Sequence, residues 1–151
     1  MGAGGSVDGA PGHGDDVLGL ARVKGAATII AEETDPARFG VVAMYVFGST
    51  KNAMAGPGSD IDLLVHFRGS EEQRKDLMLW LQGWSLCLAE INFLRTGYRS
   101  DGLLDAHLVT DEDIANHTSY AVKIGAVTDA ARELPLGRKA AHAQASAERS
   151  R

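Results

Sequence analysis

The sequence predicts an α/β (α+β) protein, a small mixed β-sheet with helices packed on it. Three observations lead there. Three short apolar runs, 41–47, 60–67 and 103–110, carry the β-branched and aromatic composition or the alternation of strands. Two longer stretches, 15–33 and 70–94, place apolar residues at helical spacing instead. The resulting order, helix, strand, strand, helix, strand, fits helices laid on one mixed sheet.

Each element has a local reason. In DDVLGLARVKGAATIIAEE the apolar positions Val17, Leu20, Val23, Ala27 and Ile30 share one helical face, and Asp15 and Asp16 favour the helix N-terminus. TDPARFG ends it. VVAMYVF, ended by Gly48, reads as a buried strand, and DIDLLVHF as a second. Ser70 opens the next helix, with Gln73 three residues on completing a capping box. Leu77, Leu81, Trp84, Leu88, Ile91 and Leu94 form its apolar stripe, and Gly83 is its weak point. After the break at Gly97–Gly102, LLDAHLVT is the third strand. Asp111 is expected to cap a short polar helical turn, and SYAVKIGAV fits a last helix or a strand equally well.

The folded domain is expected over 14–136, between a glycine-rich disordered tail at 1–13 and a polar disordered tail at 137–151. At 151 residues one such domain can bury a sizeable core. A net charge of −5 argues against a general attraction to nucleic acid or to anionic membrane. Cys87 is the single cysteine, which excludes an internal disulfide and a zinc–thiolate cluster. Between Leu86 and Leu88 it reads as a small buried hydrophobe in a reducing compartment. No apolar run is expected to span a membrane, and the N-terminus lacks the pattern of a secretory signal, so a cytoplasmic protein is the expectation.

The chemistry gathers in FGSTKNAMAGPGSDIDLLVHF. Alternation along a strand puts Asp60, Asp62 and Leu64 on one face and Ile61, Leu63 and Val65 on the other. Two carboxylates a pleat apart repel unless a cation lies between them, and oxygen ligands suit Mg²⁺. On the third strand Leu103, Asp105, His107 and Val109 share a face, so Asp105 would complete a three-carboxylate cluster if that strand neighbours the second. Gly48-Ser49 follows the first strand, where a small residue lets the backbone approach a ligand and amide and hydroxyl can donate to phosphate. His107 shares the face of Asp105 and is a supporting candidate. His66 reads as a structural strand histidine, Glu90 as a solvated or ion-paired helix acid, and Trp80 and Trp84 as packing residues. Arg68, Arg95, Arg99 and Lys123 are cations that could approach phosphate.

Gly48-Ser49, ten intervening residues and then Asp60-Ile61-Asp62 resembles the signature of the nucleotidyltransferase superfamily that includes DNA polymerase β. With Asp105 in a later apolar strand, the compact chain looks like the minimal nucleotidyltransferases over about residues 40–115. The resemblance implies the nucleotidyltransferase fold and a Mg²⁺-dependent transfer of a nucleoside monophosphate from an NTP, ATP foremost, to an acceptor with release of pyrophosphate. It implies two Mg²⁺ ions held by Asp60 and Asp62, with Asp105 binding the catalytic ion and helping to deprotonate the acceptor. Gly48 and Ser49 would hold the β- and γ-phosphates. Many minimal members carry an Arg and a Gly shortly after Gly-Ser; here those positions read Asn52 and Ala53, and Lys51 supplies a point charge rather than a fork. Two other readings follow from the same resemblance. Many minimal members are encoded beside a helical toxin partner, which suggests an antitoxin-like protein acting on a partner protein. The missing arginine suggests a regulatory nucleotide-binding domain with little or no turnover. In a chain this short the acceptor would be held by a partner, a second subunit of a homo-oligomer or the exposed sheet end.

Overall fold

The computed structural model describes residues 25–47, 61–126, 130–137 and 148–150. The first helix, α1, is helical over 25–33. Thr34 closes it: although fully buried, its hydroxyl donates to the Ile30 carbonyl at 2.6 Å and accepts from Trp80 Nε1 at 3.0 Å. Asp35 then caps the single-turn helix α2, Pro36–Phe39, accepting from the amides of Ala37 and Arg38, with Pro36 supplying the preset φ of a first turn. Gly40 ends α2 in the left-handed region, φ 68°, where a Cβ would also stand 3.0 Å from the backbone of Gly69.

Strand β1, Val41–Phe47, runs antiparallel to β2, Ile61–Phe67, with a bulge between Val41 and Ala43 that turns Val42 outward. The predicted capping box forms: Ser70 Oγ accepts from the Gln73 amide, and Gln73 Oε1 accepts from the Ser70 amide. The same Gln73 side chain donates to the carbonyls of Ala37 and Arg38, so one residue starts α3, Glu71–Thr96, and satisfies the end of α2. Gly97, φ 75°, is the C-cap. The chain returns as β3, Leu104–Val109, parallel to β2. Thr110 then caps α4, Asp111–Asn116, and a 3₁₀ turn spans Ser119–Lys123. A two-residue strand β4, Arg132–Glu133, pairs with β1, giving a four-stranded mixed sheet in the order β3-β2-β1-β4.

The helices cover one face of this sheet. Ala27, Ile30 and Ala31 of α1 and Leu77 and Leu81 of α3 close on Met44, Val46, Ile61, Leu63 and Val65. Phe39 stacks on Trp80, and Trp80 meets Trp84 edge to face, so both tryptophans are packing residues as expected. A smaller cluster, Phe47, Leu64, Val109 and Ala121, lies on the opposite face, partly roofed by the 3₁₀ turn.

Several expectations are corrected here. Thr110, not Asp111, caps α4: its hydroxyl accepts from the Asp113 amide, and Asp111 is left at the first helical position to bond elsewhere. SYAVKIGAV contributes the 3₁₀ turn rather than a full helix or strand. Cys87 is exposed, because the sheet-facing stripe of α3 runs through Leu77, Leu81 and Leu88 and the next-door position points away. Ile91 and Leu94, counted in that stripe, are exposed too. The reason is length: a 26-residue helix reaches roughly 39 Å, whereas a seven-residue strand reaches roughly 23 Å, so α3 overruns the sheet. Between Leu77 and Leu94 the only charge is Glu90, and by length and composition α3 could cross a membrane, contrary to the expectation that no run could. Its Leu77, Leu81 and Ala89 are instead buried within this fold. Gly137, assigned from sequence to the tail, donates its amide to the Ala31 carbonyl at 3.0 Å.

Candidate active site

The alternation of β2 sorts its residues cleanly. Ile61, Leu63 and Val65 point into the helix-covered core, at most 4% exposed, while Asp62, Leu64 and His66 point to the other face. The parallel register of β2 and β3 sets Asp62 opposite Asp105 and Leu64 opposite His107, so the third strand does neighbour the second. Phe47 lies opposite Asp62 on the other side, at the end of β1. Asp62, Asp105 and His107 thus share one face, with ligand atoms all within 4.8 Å of one another. His107 Nε2 stands 3.3 Å from Asp105 Oδ2 and 3.8 Å from Asp62 Oδ1.

Exposure grades across this group. The carboxylate of Asp105, on the edge strand, is 53% exposed, Asp62 25% and His107 17%. The imidazole is held between rings: Tyr120 of the 3₁₀ turn lies at a centroid distance of 3.9 Å and Phe47 at 5.8 Å. An open cleft of about 320 Å³ between α3 and β3, lined in part by Gln82, Ser85 and Leu104, reaches Asp105 from the strand edge. Ser85 ties that edge to α3, its Oγ accepting from the Leu104 amide at 3.0 Å.

The residues fit a divalent ion. Two ligands each about 2.1 Å from a shared ion lie at most about 4.2 Å apart, and the measured His107–carboxylate separations fall within that span. Carboxylate oxygens are also the donors a hard cation takes.

A second polar network sits farther along the same strand. Arg68 grips Asp111 with two bonds, Nε to Oδ2 at 2.8 Å and Nη2 to Oδ1 at 2.9 Å, and His66 Nε2 lies 2.7 Å from the same Oδ1. The Arg68 hydrogen bonds, and then that of His66, hold the Asp111 carboxyl well below the usual carboxylate range, while Asp111 raises Arg68 in return. Burial, helped by the Glu133 carboxylate, raises the Tyr45 phenol on the same sheet face.

Of the residues singled out from sequence, Asp62 and Asp105 are brought together. Gly48, Ser49, Lys51 and Asp60 lie outside the described residues. His66 is the hydrogen-bonded strand histidine expected, and Glu90 pairs with Arg99 at 3.7 Å. Arg68, a candidate phosphate cation, is engaged by Asp111. What sequence reading missed is Tyr120, whose ring packs on His107 from 13 residues away; an aromatic in a short turn carries no periodic signal.

Residues 30–114 match the model of the nucleotidyltransferase domain family. A crystal structure at 1.40 Å resolution of a Sulfolobus solfataricus protein, provisionally named a nucleotidyltransferase, is 20% identical. The alignment covers 67% of this chain and 78% of that one, with a TM-score of 0.39. Among curated proteins none matches the chain.

Proposed function

The chain belongs to the nucleotidyltransferase domain family, and from that premise we propose that it moves a nucleoside monophosphate from an NTP, ATP foremost, to an acceptor hydroxyl with release of pyrophosphate. The observation that carries this reading is the paired register of Asp62 and Asp105 on adjacent parallel strands, inside the family-matched segment. A bound Mg²⁺ pair would supply charge neutralisation for the triphosphate and a lowered acceptor pKa. Asp62 and Asp105 are proposed as its ligands, with Asp60, two positions before Asp62 in the sequence, completing the set. Asp105, the most exposed of the described acids at the site, is open to an arriving acceptor and can take the hydroxyl proton. The acceptor oxygen then bonds to the α-phosphorus as the bond to the pyrophosphate oxygen breaks. Gly48, Ser49 and Lys51 are proposed to hold the β- and γ-phosphates.

The test is release of pyrophosphate, or transfer of label from an α-labelled NTP, with the chain's proteins, RNA and small molecules offered as acceptors. Activity that requires a divalent ion and vanishes in Asp62→Asn supports the reading. Label transfer undiminished in that variant would overturn it.

A second reading is favoured by one observation. Leu79, Leu86 and Leu94 are exposed on the outer side of α3, Leu94 at 74%, a surface more apolar than a lone monomer needs. This supports a partner protein, or a second copy, that presents or is itself the acceptor, as in the antitoxin-like alternative. Nucleotide binding without turnover, together with a stable complex lost in Leu86→Glu, would favour it over the free enzyme.

A further inference from the structure

We propose that His107 is a nitrogen ligand of the divalent ion at Asp62 and Asp105, biasing the site toward first-row transition ions over Mg²⁺. The inference rests on the nucleotidyl-transfer reading, since it concerns the ion of that same site.

The contrast between two histidines on this sheet face carries it. His66 Nε2 lies 2.7 Å from Asp111 Oδ1, the length of a charge-assisted hydrogen bond. His107 Nε2 faces two carboxylates and is close to neither: 3.3 Å from Asp105 and 3.8 Å from Asp62. The longer separation exceeds any hydrogen bond, and the shorter is beyond the usual range. Two such spacings from one nitrogen are what ligands of a common ion show, since they fall short of the roughly 4.2 Å limit set by two metal–ligand bonds. The ring is also aimed. It is 17% exposed, with Tyr120 against it at 3.9 Å and an interplanar angle of 31°, and Phe47 tilted beside it at 5.8 Å. Among the described residues, ring contacts with Tyr120 and Phe47 hold the imidazole, with Nε2 directed at the acids. Tyr120 and Phe47 act as positioning residues.

The consequence is selectivity. Mg²⁺ favours an all-oxygen set, whereas an imidazole nitrogen strengthens binding of Mn²⁺, Co²⁺ and later ions in the order of the first-row series. A site of two carboxylates and one imidazole therefore prefers Mn²⁺ to Mg²⁺ more strongly than carboxylates alone.

The experiment uses the untagged full chain with Mn²⁺ alone as the probe. Spin-echo electron paramagnetic resonance reads directly bound ¹⁴N as a modulation of the Mn²⁺ signal, and competition between Mn²⁺ and Mg²⁺ gives the affinity ratio. The wild type is expected to show nitrogen modulation. His107→Gln is expected to lose it and to lose roughly tenfold in Mn²⁺ affinity, with Mg²⁺ affinity changed by less than about twofold. Tyr120→Phe should keep both signals, and Tyr120→Ala should weaken Mn²⁺ binding by about threefold through lost stacking. Mn²⁺ bound by the wild type without nitrogen modulation overturns the proposal, and that spectrum needs no variant to fold. Modulation that persists in His107→Gln overturns it as well. Asp62→Asn separates the two levels. If it abolishes Mn²⁺ binding while nitrogen is absent, the nucleotidyl-transfer site stands and the His107 ligand falls. If Mn²⁺ binds regardless of Asp62, both fall.

Discussion

Strand β2 presents two faces built by the same seven residues, and they solve opposite problems. Ile61, Leu63 and Val65 are sealed beneath α1 and α3, where they join the main apolar cluster and close packing supplies the stability. Asp62 and His66, on the other face, are roofed only in part, and each of them meets a charged or titratable group from another element. The difference shows how a short domain can hold like charges together. The helix-covered face stabilises the strand well enough that the acid face need not, and the repulsion between Asp62 and Asp105 is tolerated where both carboxylates stay partly exposed to water.

That division predicts a double dissociation. Asp62→Asn should reduce nucleotidyl transfer by more than about hundredfold, the scale for removing one electrostatic group from a phosphoryl-transfer site. The same change should leave the melting temperature unchanged or slightly higher, because a carboxylate facing Asp105 has gone. Leu63→Ala reverses the pattern. Leu63 is fully buried, and truncating it should cost about 2–5 kcal/mol, read as a lower denaturant midpoint at constant slope. Metal affinity of the fraction that remains folded should be nearly that of the parent. An Asp62→Asn protein that unfolds, or a Leu63→Ala protein as stable as the parent, would break the comparison.

How much of this was readable in advance follows from the range of each interaction. The two faces of β2 were legible because alternation is a nearest-neighbour rule, and the capping box at Ser70 and Gln73 because both partners lie within one turn. The adjacency of Asp62 and Asp105 was conditional on which strands neighbour one another, which alternation does not encode; the parallel pairing through α3 decides it. The Arg68–Asp111–His66 network joins residues more than 40 positions apart, so Asp111 looked from sequence like a helix cap. β4 is two residues long, too short for any period to register. Cys87 and Leu94 were misplaced because apolar identity was read as burial, whereas Cys87 points away from the sheet-facing stripe and Leu94 lies where α3 overruns the sheet.

A smaller effect tests whether the closed face depends on how α3 begins. Ser70→Ala removes the acceptor of the Gln73 amide and loosens the side chain that ties α3 to the end of α2. The expected loss is about 1 kcal/mol by thermal or denaturant unfolding. Divalent-ion affinity should not change, since the cap lies at the far end of β2 from Asp62. A loss of ion binding with Ser70→Ala would mean the two faces are coupled rather than independent.

The smallest expected effect concerns Asp111, and its sign can be worked out. The hydrogen bonds from Arg68 and then His66 lower the folded-state pKa of its carboxyl below the ordinary value of about 3.9. A depressed carboxyl contributes stability that is fully present above the unfolded value and is lost as pH falls through the folded one. The wild type should therefore melt slightly above Asp111→Asn from pH 5 to pH 7, and the gap should close only as the pH drops below about 4. Arg68 and Asp111 are both exposed, so screening by salt should narrow the same gap at neutral pH. Parallel melting curves of the two proteins across pH, at low and high salt, check this. A gap that widened on acidification would mean that the carboxylate destabilises the fold, and that Arg68 and His66 are held in place by something other than Asp111.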